Sequence, residues 1–155
     1  MSVQPKYREL TSEELNELEK EFVEYLIVNG ITADDWVKIK AEEKEKAEDI
    51  ITLFSDVVFE GVMQKISFLE KRLPDELMTF QCLRDRLVLV AITSQSMDFS
   101  NPDSLQNLSS PPSDAQVYTS EKKYIKQREI ELFEMVQSGC TISDGQLFKT
   151  LSLAL

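Results

Sequence analysis

The chain has 155 residues, enough to bury a real core in one domain, and carries 28 acidic against 17 basic residues for a net charge of −11. That charge works against nucleic acid and anionic membrane, because both need a basic footprint. No histidine is present, which removes the usual general base near neutral pH, the Ser-His and Cys-His nucleophile pairs, and the commonest ligand of zinc and di-iron sites.

Residues 1–10 read as a loose polar arm with no signal-peptide core. Thr11 then opens a helix: its hydroxyl can cap the first amides, Glu14 can reach back to it, and Leu10 and Leu15 form a hydrophobic staple. Leu15, Leu18, Phe22, Tyr25 and Leu26 recur every three or four residues, and Asn29-Gly30 stops the helix. A second start follows at Thr32, with Asp34 and Asp35 in the positive first turn and Ile31 stapled to Trp36. Trp36, Val37 and Ile39 belong to this short helix, and the charged stretch Glu42 to Lys46 predicts a break near Lys44.

Ala47 to Leu73 reads as one long helix ended by Pro74, apolar on two sides. Its main stripe holds Ile50, Ile51, Phe54, Val57, Val58, Gly61, Val62 and Leu69, and the far side holds Phe59, Met63 and Ile66. Two stripes imply a central helix or one shared with a partner. The period then changes. Leu77–Leu83 alternates and Leu87–Thr93 is almost wholly apolar, with Arg84-Asp85-Arg86 between them, which predicts a β-hairpin. An isolated hairpin is marginal in water and needs helices, another strand or a second subunit. Gln116–Thr119 is a faint third strand.

Residues 95–115, rich in Ser, Asn, Asp and Pro, predict a mobile loop. A helix over Ser120 to Ser138 follows, with Ile125, Leu132, Phe133 and Val136 inward and Gly139 at its end. Ile142 to Leu147 repeats the cap, box and staple and opens a last helix with Leu147, Phe148 and Leu151. The expectation is one α+β domain over residues 1–155. It is mostly helical, with about five helices around the long central one and a small antiparallel hairpin.

Tyr7 to Thr11, Ala33 to Trp36, Phe54 to Val62, Phe68 to Glu70 and Gly139 to Leu147 together resemble an uncharacterised family of small bacterial proteins, a domain of unknown function. The resemblance covers most of the chain and is poorest over 95–115. It implies no activity and carries over no functional residue.

Candidate sites follow from chemistry alone. Asp56 and Glu60, one turn apart, are the best-placed acid pair for a divalent metal or for hydrolytic acid–base work. They lie away from the main apolar stripe, where solvated charge is the plainer reading. Helix-start electrostatics accounts for Asp34 and Asp35. Lys65 falls on the apolar stripe, as a desolvated amine or a stem that snorkels. Gly61 points to a close packing contact. Asp98 to Asp103 has the spaced oxygens of a calcium loop but Asp103 and Ser109 where Gly and Glu belong, so Asx turns explain it better.

Cys82 and Cys140 read as small buried hydrophobes, reduced in the cytoplasm, rather than a lone disulfide. No apolar run approaches membrane-spanning length. The resulting expectation is a cytoplasmic, non-catalytic interaction protein without cofactor, a homodimer through Phe59, Met63 and Ile66 with Trp36 as an anchor. A carboxylate-dependent metal protein or hydrolase on Asp56 and Glu60 is the alternative.

Overall fold

The computed structural model describes residues 3–155 and is α+β: six α-helices, a short 3-10 helix and one five-stranded antiparallel sheet among the described residues. It divides into two compact units, Met1–Val62 and Met63–Leu155.

The first unit is helical: α1 Ser12–Glu17, α2 Glu19–Val28, α3 Ala33–Glu42 and most of α4 Lys44–Lys65. Both predicted starts form. The Thr11 hydroxyl accepts the Glu14 N–H at 3.1 Å while Glu14 accepts the Thr11 N–H at 2.9 Å. Thr32 and Asp35 make the same reciprocal pair at 3.1 and 3.0 Å. The first helix is in two pieces, interrupted at Leu18 (φ −104°, ψ 22°), and nothing in the side chain accounts for the interruption. The break near Lys44 falls at Glu43, with φ −131° and ψ 65°. Leu10, Phe22, Leu26 and Phe54 are buried together, and Leu15, Tyr25, Trp36, Ile50, Ile51 and Val58 pack around them. The Phe22 ring meets Trp36 edge-on at 5.1 Å and Phe54 at 5.0 Å.

The second unit is built on β1 Phe68–Arg72, β2 Glu76–Cys82, β3 Arg86–Thr93, β4 Gln116–Lys123 and β5 Thr141–Ser143, in the order β4-β3-β2-β1-β5. The predicted hairpin is β2 and β3, paired from Glu76↔Thr93 to Cys82↔Leu87. Three expectations are corrected here. First, the long helix stops at Lys65, and Phe68–Arg72 is a strand paired with both β2 and β5. Phe68, Glu70 and Arg72 share one face and Leu69 and Lys71 the other, a period of two that pairing with β2 selects over helix. Pro74 sits in the β1–β2 turn, where the Leu73 N–H donates to the Glu76 carbonyl.

Second, the faint third strand is real and longer. β4 takes residues 120–123 from the predicted helix, leaving α5 as Arg128–Gln137 with Ile125 85% exposed. Third, Ser143 ends β5 instead of capping a helix, and α6 begins at Gln146. Gly145 precedes it with φ +88°, and a Cβ there would come within 2.6 Å of the Phe68 ring, so both conformation and space require glycine.

Leu77, Val90, Ile92, Phe99, Leu108 and Leu151 form the buried cluster of this unit, with Leu147 and Phe148 of α6 against it. Phe99 and Leu108 come from the 95–115 segment, whose 3-10 helix Pro102–Asn107 is capped by Asn101. Asp114 draws the two ends of that segment together by accepting from Ser94, Gln95 and Ser96. β4 is an open edge. The Tyr124 N–H donates to Asp85 across from β3, so by alternation Val117, Thr119, Glu121 and Lys123 turn their backbone groups outward. Glu121, Lys122 and Lys123 on this edge are the charges that discourage strand addition.

Candidate functional site

The acid pair singled out from the sequence is the anchor of the chain's own N-terminal arm. Asp56 accepts the Lys6 N–H through both oxygens, at 3.0 and 2.9 Å, and the Tyr7 N–H at 3.1 Å. Glu60 accepts from the Lys6 ammonium at 2.9 Å and from the Tyr7 hydroxyl. Seven residues before Asp56, Asp49 takes the Val3 N–H at 2.8 Å. Ser55 accepts the Leu10 N–H at 2.9 Å and donates to the Ile51 carbonyl at 2.7 Å. Two carboxylates, Asp49 and Asp56, and the Ser55 hydroxyl on α4 thus satisfy four backbone amides of an extended segment, work a neighbouring strand would otherwise do, while Glu60 takes two of its side chains. A metal at Asp56 and Glu60 would have to displace these donors.

The same arm covers one of the predicted interface residues. The Tyr7 ring lies 6.2 Å from that of Phe59, and the Arg8 guanidinium stands 4.7 Å from the centre of the same ring. Arg8 also forks onto both oxygens of Glu14, at 2.8 and 3.0 Å. The Arg8 guanidinium and then the Thr11 N–H hold the Glu14 carboxyl at about 2, well below its ordinary value. Met63 and Ile66 are each only 3% exposed, and Trp36 is half-buried against Phe22.

Helical spacing places a different row on the open side of α4: Leu53, Val57 and Gly61. Leu53 is 45% and Val57 56% exposed, Gly61 is half-buried, and a Cβ at Gly61 would meet nothing within 4 Å. Lys65 ends exposed in the last turn of α4, where a cation suits the helix C-terminus. Asp35 is half of the second capping box, and Asp34 is exposed beside it. In the candidate calcium stretch, Asp98 accepts the Ser100 N–H and Asn101 the Asp103 N–H, which are Asx turns.

Sequence reasoning missed Arg128. Its side chain is 15% exposed, and its guanidinium donates to the carbonyls of Met63 (3.2 Å), Leu83 (3.0 Å), Cys82 (3.1 Å) and Ile66, and to Glu129 at 3.1 Å. It thereby collects carbonyls left over at the end of α4 and at the β2–β3 turn. A polar cleft of about 580 Å³ beside it is lined by Gln64, Cys82, Arg84, Gln127, Arg128 and Glu129. Arg128 is committed to carbonyls and Glu129 opposes it, which leaves Arg84 as the cation of the cleft lining. Glu70, 6% exposed and paired with Arg72 at 2.6 Å, was missed as well, because the pair shares a face only in a strand. Cys82 and Cys140 are unpaired and buried, and burial pushes the Cys82 thiol up to about 12 and raises Cys140 too. Neither is poised as a nucleophile.

Among the described residues, no group of three or more His, Cys, Asp or Glu is placed to hold a metal, and no helix is long and apolar enough to cross a membrane. A family model described as a family of unknown function, DUF6495, matches residues 1–155. No curated protein and no solved structure matches the chain.

Proposed function

We propose that this chain, which belongs to the DUF6495 family, is a non-catalytic cytoplasmic interaction protein whose partner is a second copy of itself. The observation that carries this reading is the open row Leu53, Val57 and Gly61 on α4. A mid-helix glycine costs about 1 kcal/mol relative to alanine, and among the described residues a Cβ at Gly61 meets nothing within 4 Å, so none of them requires a glycine there. It becomes useful where another helix comes close. The row is also self-complementary. A two-fold axis at Val57 sets Leu53 of one copy against the gap at Gly61 of the other, in the i±4 packing typical of crossed helices.

Leu53 and Val57 are already partly covered, so their burial contributes less than the ~1.5–3 kcal/mol of a full apolar side chain. A weak, concentration-dependent dimer fits better than an obligate one. The non-catalytic half of the reading rests on the missing histidine and on thiols held protonated by burial. Two unpaired thiols suit a reducing compartment.

Light scattering across a concentration series tests the proposal. The mass should rise toward that of a dimer in the micromolar range. Gly61→Leu, which fills the gap at a site with room for a side chain, should return it to monomer while raising the helix's own stability. A strict monomer at high micromolar concentration, or a Gly61→Leu variant of unchanged mass, would sink the idea.

A further inference from the structure

We propose that residues 3–9 behave as a peptide bound in cis, and that the face of α4 beneath them is a receptor for an extended segment that the same arm of a second copy can fill. This face carries Asp49, Asp56, Phe59 and Glu60. It lies on a different side of α4 from Leu53, Val57 and Gly61.

The spacing of donors and acceptors supports a designed fit. From Asp49 to Asp56 a helix rises about 10.5 Å, and from Val3 to Lys6 and Tyr7 an extended chain spans about 10–13 Å. The two runs keep pace, so one carboxylate meets each end of the stretch. The chain bends at Lys6 and Tyr7. There Glu60 takes the ammonium and the phenol, and Tyr7 and Arg8 close over Phe59. The recognised chemistry is therefore a short extended segment with free backbone amides and a Lys-Tyr-Arg core.

The arm is removable. Val3 to Lys6 and Glu9 are exposed, and the Lys6–Glu60 pair is partly solvated at 37% and 26% side-chain exposure. Contacts of that kind are individually weak. Covalent attachment compensates, giving the arm an effective concentration in the millimolar range. Leu10 is buried and stays with the core, so residues 3–9 can lift without disturbing Phe22, Leu26 and Phe54.

The test uses the full chain and a fluorescent peptide with the sequence of residues 3–9. Tyr7→Ala removes the hydroxyl donated to Glu60 and the ring packed on Phe59, and so weakens the resident arm, which keeps Lys6 on Glu60 and Arg8 over Phe59. This variant should bind the peptide saturably and at least tenfold more tightly than wild type, whose own arm competes. Adding Asp56→Asn should abolish binding, and Gly61→Leu should leave it unchanged. Trp36 emission should stay that of the wild type throughout. Trypsin cleavage after Lys6 should be faster in Tyr7→Ala. Failure of the peptide to bind Tyr7→Ala, binding indifferent to Asp56→Asn, binding lost with Gly61→Leu, or an unchanged trypsin rate would each overturn the proposal. Because Gly61→Leu leaves the arm's face intact, this result and the dimer test fail independently.

Discussion

The helical unit, Met1–Val62, and the sheet unit, Met63–Leu155, solve the same problem at different range. In the first, the start of a helix is settled by groups three residues apart, as in Thr11–Glu14 and Thr32–Asp35. In the second, the decisive partners are remote. Arg128 donates to a carbonyl 65 positions away, and the Thr141 hydroxyl to one 71 positions away. Side chains can be exchanged in a local scheme one cap at a time. A long-range scheme concentrates its dependence on a few residues.

Arg128→Met should therefore have the largest effect on stability. It takes the guanidinium from the Cys82 and Ile66 carbonyls while keeping the apolar stem; the Leu83 carbonyl keeps the Tyr124 hydroxyl, Met63 keeps the Ile66 N–H and Glu129 keeps the Gln127 amide. Each stranded buried group costs about 1–3 kcal/mol, and partial solvation brings the expected loss to roughly 3–5 kcal/mol, read by denaturant titration. Lysine at this position should not rescue it, because an ammonium lacks the planar fork.

Gly145→Ala comes next. It combines a positive φ with a contact of 2.6 Å to the Phe68 ring, which lies 5.5 Å from Phe148 and anchors α6. The expected loss is about 2–3 kcal/mol, with faster amide exchange in α6 and β5 and little change in α1 to α3. A variant that slows or leaves unchanged the exchange of α6 would show that the glycine is there for another reason.

The smallest effect belongs to the local scheme. Thr11→Ala should cost about 1 kcal/mol, confined to α1. Its pH dependence sharpens the contrast. Glu14 sits at about 2 in the folded chain against an ordinary 4.5, held there by Arg8 and then by the Thr11 amide. A lowered folded value stabilises above the unfolded value. The contribution is whole above about pH 4.5 and disappears as pH falls toward 2. Glu14→Gln should thus lower stability at pH 6 and converge with wild type near pH 2, as thermal melts would record. A gap that persists undiminished at pH 2 would mean that the carboxylate charge is not what matters.

Much of the helical unit was legible because its signals are close-range. The caps at Thr11 and Thr32, the stop at Gly30 and the break near Lys44 are each written within about four residues. Gly30, at φ +77°, marks the stop as expected. Asp56 and Glu60 were legible as a special pair, but their partners, Lys6 and Tyr7, lie 49 to 54 positions away and leave no periodic trace. Phe68–Arg72 reads as helix because Leu69 continues the main apolar stripe of the preceding segment. Only β2 on one side and β5 on the other make it a strand.

From the sequence alone came the α+β class, the family, the chemistry that lacks histidine, and the ends of the early helices. Each of these depends on composition or on neighbours within one helical turn. Tertiary structure decided that α4 stops at Lys65, that five strands form one sheet, and that Leu53 and Val57 lie open while Phe59 is covered by the arm. An amphipathic pattern states that a face is apolar. What comes to lie on it is fixed by a segment elsewhere in the chain, through contacts that local periodicity does not encode.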